Sequence, residues 1–188
     1  PTRYKIGLTG TLERKDGRHV VFRDYFGSNV LRPPKENYMT PRVDVIKSDI
    51  RFLDGSYTPW AERINHLTYD SEYIHSVSMI AAKYAAEGHK VLVVSDRVHF
   101  LKLCAELVGD NAVSITGDMD FAQRENEMKK IKFNKDILFG TQSIFSEGIS
   151  LNDLSCLVLG TPVNNEPLLT QLIGRVIREK KGKKQPVV

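Results

Sequence analysis

Gln171, Gly174, Arg175 and Arg178 follow one another at i, i+3, i+4 and i+7. At 100° per residue this spacing puts an amide and two guanidiniums on one face of a helix. Gly174 leaves a gap between them, at a cost of about 1 kcal/mol in helix propensity relative to Ala, which makes sense where something must approach the backbone. Planar guanidinium forks pair with phosphate oxygens, so the pattern points to an anion, a nucleotide phosphate, lying against this face. The same residues also fit a solvated basic helix end, because a Lys/Arg run favours the negative pole of the macrodipole.

The element that positions them spans 167–180. Leu168, Leu169, Leu172, Ile173, Val176 and Ile177 form its apolar stripe, and Pro167 takes a favoured first-turn place. Upstream, the pattern alternates between helix and strand. Helices are expected over 71–87 with Asp70 as cap and Gly88 as stop, over 98–108 with Gly109 as stop, and over 121–131. Strands are expected over 90–95, where KVLVVS is a continuous apolar run, and over 112–115, 136–140 and 154–160, with 185–188 a possible further one. Such alternation implies βαβ units, hence an α/β fold with a parallel sheet covered by helices on both faces. Right-handed crossovers bring the strand C-terminal ends to one edge. That edge gathers Ser95-Asp96-Arg97, Thr116-Gly117-Asp118, Gly140-Thr141-Gln142 and Gly160-Thr161-Pro162, a polar rim where backbone N–H groups meet phosphates. Gln123 and Arg124 open a helix near it and fit a solvated face better than a phosphate site.

Residues 4–8 read as a short strand, and 43–52 alternate as a half-buried one. Between them, Pro33, Pro34 and Pro41 have the composition of a connector. Residues 1–40 are therefore expected to be the tail of one domain plus a linker, and 41–188 a second domain. No element is assigned to 53–68, where Trp60 reads as a lid over a core edge. The chain has 188 residues and no initiator Met, and its strand-like beginning suggests a piece of something longer.

The net charge of +4 is unevenly placed. Residues 1–35 carry eight Lys/Arg against three Asp/Glu, and residues 175–184 carry six against one, which leaves an acidic middle. Two basic ends suggest localised anion contacts, not a uniformly basic coat. Cys104 and Cys156 are too isolated for a disulfide framework or a zinc site and read as small core residues of a reducing compartment. The five histidines show no metal-ligand spacing, and no apolar run or leader points to a membrane. The expectation is a cytoplasmic protein with no membrane partner.

In this order, the motifs resemble those of superfamily 2 helicases. QLIGRVIR (171–178) is similar to motif VI, QxxGRxxR; ILFGTQSIFSEGISLNDLSCLVL (137–159) resembles motif V; VLVVSDR (91–97) resembles motif IV; and LTGT (8–11) resembles motif III. The segment GLTGTLERKDG is similar to motif III of XPB-like and phage UvsW-like DNA helicases. The resemblance implies the second, C-terminal RecA-like domain of such a motor, preceded by a fragment of the first. It also implies roles. Arg178 would be the arginine finger on the γ-phosphate, with Arg175 beside it and Gln171 sensing nucleotide state. Glu147, Gly148 and Gly174 would face the nucleotide. Ser95, Arg97, Gly117 and Thr141 would meet the nucleic-acid backbone, and Thr9, Gly10 and Thr11 would couple hydrolysis to domain movement.

The implied cofactor is ATP with Mg²⁺, bound mainly by the absent first domain, and the implied partners are DNA, duplex or branched, and that first domain. The sequence has no GxxxxGK[ST] loop and no DExH quartet. No metal site is expected within it, nor ATP turnover by it alone. Motifs of this kind face the backbone and do not report the sugar, so an RNA helicase, a restriction translocase or a non-catalytic binding module remain alternatives.

Overall fold

The computed structural model describes residues 3–9, 17–32, 37–53, 57–142 and 152–188, with residue 133 as backbone only. Its centre is a sheet of strands β1 (Lys90–Ser95), β2 (Ala112–Ile115), β3 (Ile137–Thr141) and β4 (Leu154–Leu159), all parallel in the order β2-β3-β1-β4. The helices are α1 (His19–Phe26), α2 (Trp60–Tyr69), α3 (Ser71–Ala86), α4 (Val98–Val108), α5 (Phe121–Phe133) and α6 (Glu166–Val176).

The period of two along each strand divides the core. Val91, Val93, Ile137, Phe139 and Cys156 face α3 and α4, where they meet Val77, Ala81, Phe100, Leu101 and Cys104. Leu92, Val94, Leu138, Leu157 and Ile115 face the other way, onto Ile131 of α5 and Leu172 and Val176 of α6. Each of these buried aliphatic or aromatic side chains contributes about 1.5–3 kcal/mol relative to exposure, so helices on both faces follow from strands that are apolar on both faces. Cys104 and Cys156 sit in this core as small apolar residues, and burial pushes their thiols up to about 11 and about 12.

Local sequence sets the helix starts. Asp70 accepts from Tyr73 N at 2.9 Å to open α3. Asp120 and Gln123 exchange two bonds, 2.8 and 3.0 Å, in a capping box that opens α5. Asn165 accepts from Leu168 N at 3.2 Å, with Pro167 in the first turn of α6.

Beyond β4 the sheet is extended by fragments. Val187 lies parallel to Cys156, with Leu157 N donating to Val187 O and Val187 N to Ser155 O, both at 2.9 Å. Arg42 then lies parallel to Val187, through Arg42 N to Pro186 O at 2.8 Å and Val188 N to Arg42 O at 2.9 Å. The expected strand at 185–188 is thus a bridge of one or two residues. A side-chain clasp holds the incoming segment: Tyr84 Oη donates to Asp44 Oδ2 at 2.6 Å, and Arg42 grips the same carboxylate at 2.8 and 2.9 Å. These two partners, Arg42 first, hold the Asp44 carboxyl below its usual range.

Several expectations fail for identifiable reasons. Residues 43–52 alternate like a strand, but past Asp44 N, which donates to Val188 O at 2.9 Å, they form no ladder with the described residues; the rest runs as coil beside a groove against α3 and β4. Residues 4–8 form no strand, since none of the described residues pairs with them and Tyr4, Ile6 and Leu8 stand exposed. Helix α1 forms between Gly17 and Gly27, where the sequence pattern predicts no element, and it buries none of its residues. Helix α2 begins at Trp60, which is no loop residue; it lies 5.8 Å from Phe52, centroid to centroid, and is half exposed. Finally, α6 stops at Val176, four residues before the expected end at 180, so Arg178 does not share a helical face with Gln171, Gly174 and Arg175. The Ile177 carbonyl accepts instead from Met39 N at 2.8 Å, and Arg178 forms an antiparallel bridge with Tyr38.

Candidate functional site

The strand ends do converge. Ser95 is the register partner of Thr141, and Ile115 of Gly140, so the ends of β1, β3 and β2 lie side by side. Above them is an open cleft of about 620 Å³ lined by Asp96, Gly117, Thr141, Gln142, Asn165 and Gln171, with apolar contributions from Val98, Pro167 and Leu168. Three elements thus bring Gly117, Thr141 and Gln171 to one space. Gln142 and Asn165, which the motif reading does not single out, also line it. Asn165 is legible only as a helix cap, and Gln142 only as the residue after a strand.

Not all candidates present their side chains there. Ser95 is fully buried, and its hydroxyl accepts from Arg97 N and from Thr161 Oγ1, both at 3.1 Å. Arg97 spends its guanidinium on Asn65 Oδ1 and Asp96 Oδ2, each at 2.8 Å. Thr141 is buried at the cleft floor. The carbonyl of Gly117 accepts from Arg124 Nη2 at 3.1 Å, which gives Arg124 an internal role at the rim, while Gln123 is occupied in the capping box. Beside Gly117, the carboxylate of Asp118 accepts from Lys102 Nζ at 2.8 Å and from the Thr116 hydroxyl. Thr9 is exposed and is not among the described residues that line the cleft. Gly10, Thr11, Glu147 and Gly148 lie outside the described residues.

The arginines carry the electrostatics. Arg175 is half-buried on α6 and Arg178 is exposed just past its end. Burial, and then repulsion from Arg178, lower the pKa of Arg175 from its ordinary value. The two guanidiniums are thus near enough for the second to act on the first, at the end of the helix whose Gln171 lines the cleft. A Cβ built on Gly174 meets nothing within 4 Å, so no packing within the described residues demands glycine there. Among the described residues no three His, Cys, Asp or Glu side chains group as a metal site, and no helix is long and apolar enough to cross a membrane.

The chain is similar to known proteins along most of its length. It is 41% identical over 190 residues to a protein of Escherichia phage T5 described as "Probable helicase D10", covering 99% of this chain and 42% of that protein. It is 26% identical to the ATP-dependent DNA helicase uvsW of Enterobacteria phage T4, over 94% of this chain and 38% of that one. The chain therefore spans about two fifths of the length of these relatives. The crystal structure of T4 UvsW superposes with a TM-score of 0.57 at 22% identity, over 70% of this chain and 28% of that one, a likeness that bears on the fold alone. Residues 72–180 match the helicase conserved C-terminal domain, a stretch that takes in the sheet, the rim and both arginines. With that match, the relatives and the parallel α/β sheet together, this chain belongs to the helicase C-terminal family, as a C-terminal RecA-like domain of superfamily 2.

Proposed function

We propose that this chain is the second half of an ATP-dependent DNA helicase or translocase, working in repair, recombination or fork processing. In this reading, residues 1–40 are the end of the first RecA-like domain with the linker, and 41–188 are the second domain. The observation that carries it is the placement of Gln171 on the cleft while Arg178 stands exposed past the end of the same helix.

The donor set fits a nucleotide polyphosphate: two mutually repelling guanidiniums, one amide and the small residues of the rim. ATP with Mg²⁺, held mainly by the first domain, supplies the phosphoryl group and its metal neutralisation. Arg178 brings a fixed positive charge to the phosphate from the opposite side of the interdomain cleft, a contribution worth about 10³ to 10⁵ in rate for arginine fingers. Arg175 raises the local positive potential, and Gln171 links the nucleotide side to the rim. Glu147, Gly148 and Gly174 face the nucleotide, and Thr9, Gly10 and Thr11 couple hydrolysis to movement. At the rim, Ser95, Arg97, Gly117 and Thr141 serve the nucleic-acid backbone. For Ser95 the contribution is through main chain, since its hydroxyl is committed internally, and Arg97 must first leave Asn65 and Asp96. Backbone contacts position nucleic acid without reading its sequence.

DNA-stimulated ATP hydrolysis by the full-length protein tests this, wild type beside Arg178→Ala. The expected result is a loss of at least about 100-fold in kcat with ATP still bound. An inactive wild type makes the chain a nucleic-acid-binding module, an unaffected variant removes the finger assignment, and stimulation by RNA in preference to duplex DNA makes the motor an RNA helicase.

A further inference from the structure

Arg178 is not mounted on the helix that leads to it. Helix α6 ends at Val176, and that residue and the three after it are held from outside. The Val176 and Arg178 carbonyls both accept from Lys183 Nζ, at 2.6 and 2.8 Å. The Ile177 carbonyl accepts from Met39 N at 2.8 Å, and Glu179 N donates to Asn37 O at 2.9 Å. Tyr38 faces Arg178 across this antiparallel bridge.

The local sequence explains how Lys183 gets there. Lys183 N donates to Lys180 O at 3.0 Å, closing a turn in which Gly182 has φ +79°, a conformation L side chains rarely adopt. The turn returns the lysine stem beneath the end of α6, where an ammonium meets the negative pole and two carbonyls left without helical partners. The position is electrostatically unfavourable in other respects. Burial first, and then Arg178 and Lys180 against the attraction of Asp153, push the ammonium down to about 8. A plain helix cap needs neither the burial nor a second cation beside the arginine.

We infer that Lys183 is a positioning residue for Arg178: with the main chain of residues 37–39, it pins the backbone on both sides of the arginine. The guanidinium is then delivered from a fixed mount and not from a fraying helix end. Because residues 37–39 lead in from the preceding segment, the mount is shared between that segment and the site. The inference rests on the finger role proposed for Arg178.

The test is a double-mutant cycle in the full-length protein, reading DNA-stimulated ATP hydrolysis for Lys183→Met, Arg178→Ala and the pair. Lys183→Met is expected to lower kcat about 10- to 100-fold, as for a misplaced catalytic group, with KM for ATP changed less than about twofold. The pair is expected to be no slower than Arg178→Ala alone, because a lysine that acts through the arginine has nothing left to position. Lys183→Arg, which keeps a cation and donors, should recover most of the loss. If Lys183→Met does not fold, Lys183→Gln takes its place in the cycle. Wild-type kcat in the lysine variant, losses that multiply in the pair, or a loss that Lys183→Arg does not relieve each overturn the inference. If Arg178→Ala itself turns over at the wild-type rate, the finger reading has failed, and the positioning role falls with it.

Discussion

Asp118 has the clearest electrostatic signature among the rim residues. Its bonds from Lys102 and from the Thr116 hydroxyl, in that order, hold its carboxyl down to about 2. The folded-state value is depressed below the ordinary 3.8, so the contribution to stability is present above about 4 and is lost as pH falls through about 2. The group is exposed, and salt screens it. An NMR titration should therefore give a midpoint near 2 at low salt, moving up towards the ordinary value in Lys102→Met; a midpoint that Lys102→Met leaves in place rules out the ion pair as its cause. The motif reading names positions along the rim but carries no side-chain directions. Ser95 is named correctly as a strand-end residue, yet its hydroxyl turns inward to Thr161, a partner 66 positions away. Lys183 shows no signal in a run of lysines, because what distinguishes it is the pair of carbonyls it meets.

Elements were legible where neighbours confirm what the local pattern demands. KVLVVS becomes β1 because strands on both sides and helices on both faces satisfy it. The alternation at 43–52 is as clean, but among the described residues no strand lies beside it beyond Asp44, and a strand without a ladder is only extended chain. Ile177 continues the apolar stripe of α6, yet tertiary pairing with residues 37–39 outweighs one more helical bond. For α2, the buried trio Ile64, Leu67 and Thr68 carries the helical spacing, but over too few residues to stand out beside Gly55 and Pro59. Packing at the strand ends leads to a second expectation. A Cβ on Gly160 comes within 3.0 Å of the Phe100 ring and 3.2 Å of the Val94 carbonyl, both in the core. Gly160→Ala should lower unfolding free energy by about 1–3 kcal/mol, read from the urea midpoint, as for other overpacked sites. An unchanged midpoint means that the α4–β1 packing yields freely there.

On the scale of the molecule, three lysines of the basic C-terminal run have partners within the protein. Lys180 pairs with Asp153, Lys184 donates to the Glu87 carbonyl, and Lys183 is turned to the end of α6. Binding of DNA by this chain alone is expected to be weak and to fall with salt at a log–log slope on the order of −2 to −4, two to four phosphates neutralised. Affinity that is the same at 50 and 200 mM salt, values on the order of those used for such titrations, would argue against phosphate contacts. The pairing at the far edge of the sheet has a further consequence, in the order of synthesis. Arg42 and Asp44 leave the ribosome long before Pro186, Val187 and Val188, the residues whose backbone they bond. At roughly 5–20 residues per second, the leading segment waits on the order of ten seconds or more for its partner. The sheet core, β1 to β4, is all made by then. The chain therefore has every strand of its polar rim, and Lys183 beneath Arg178, before the residues that anchor its incoming segment are made.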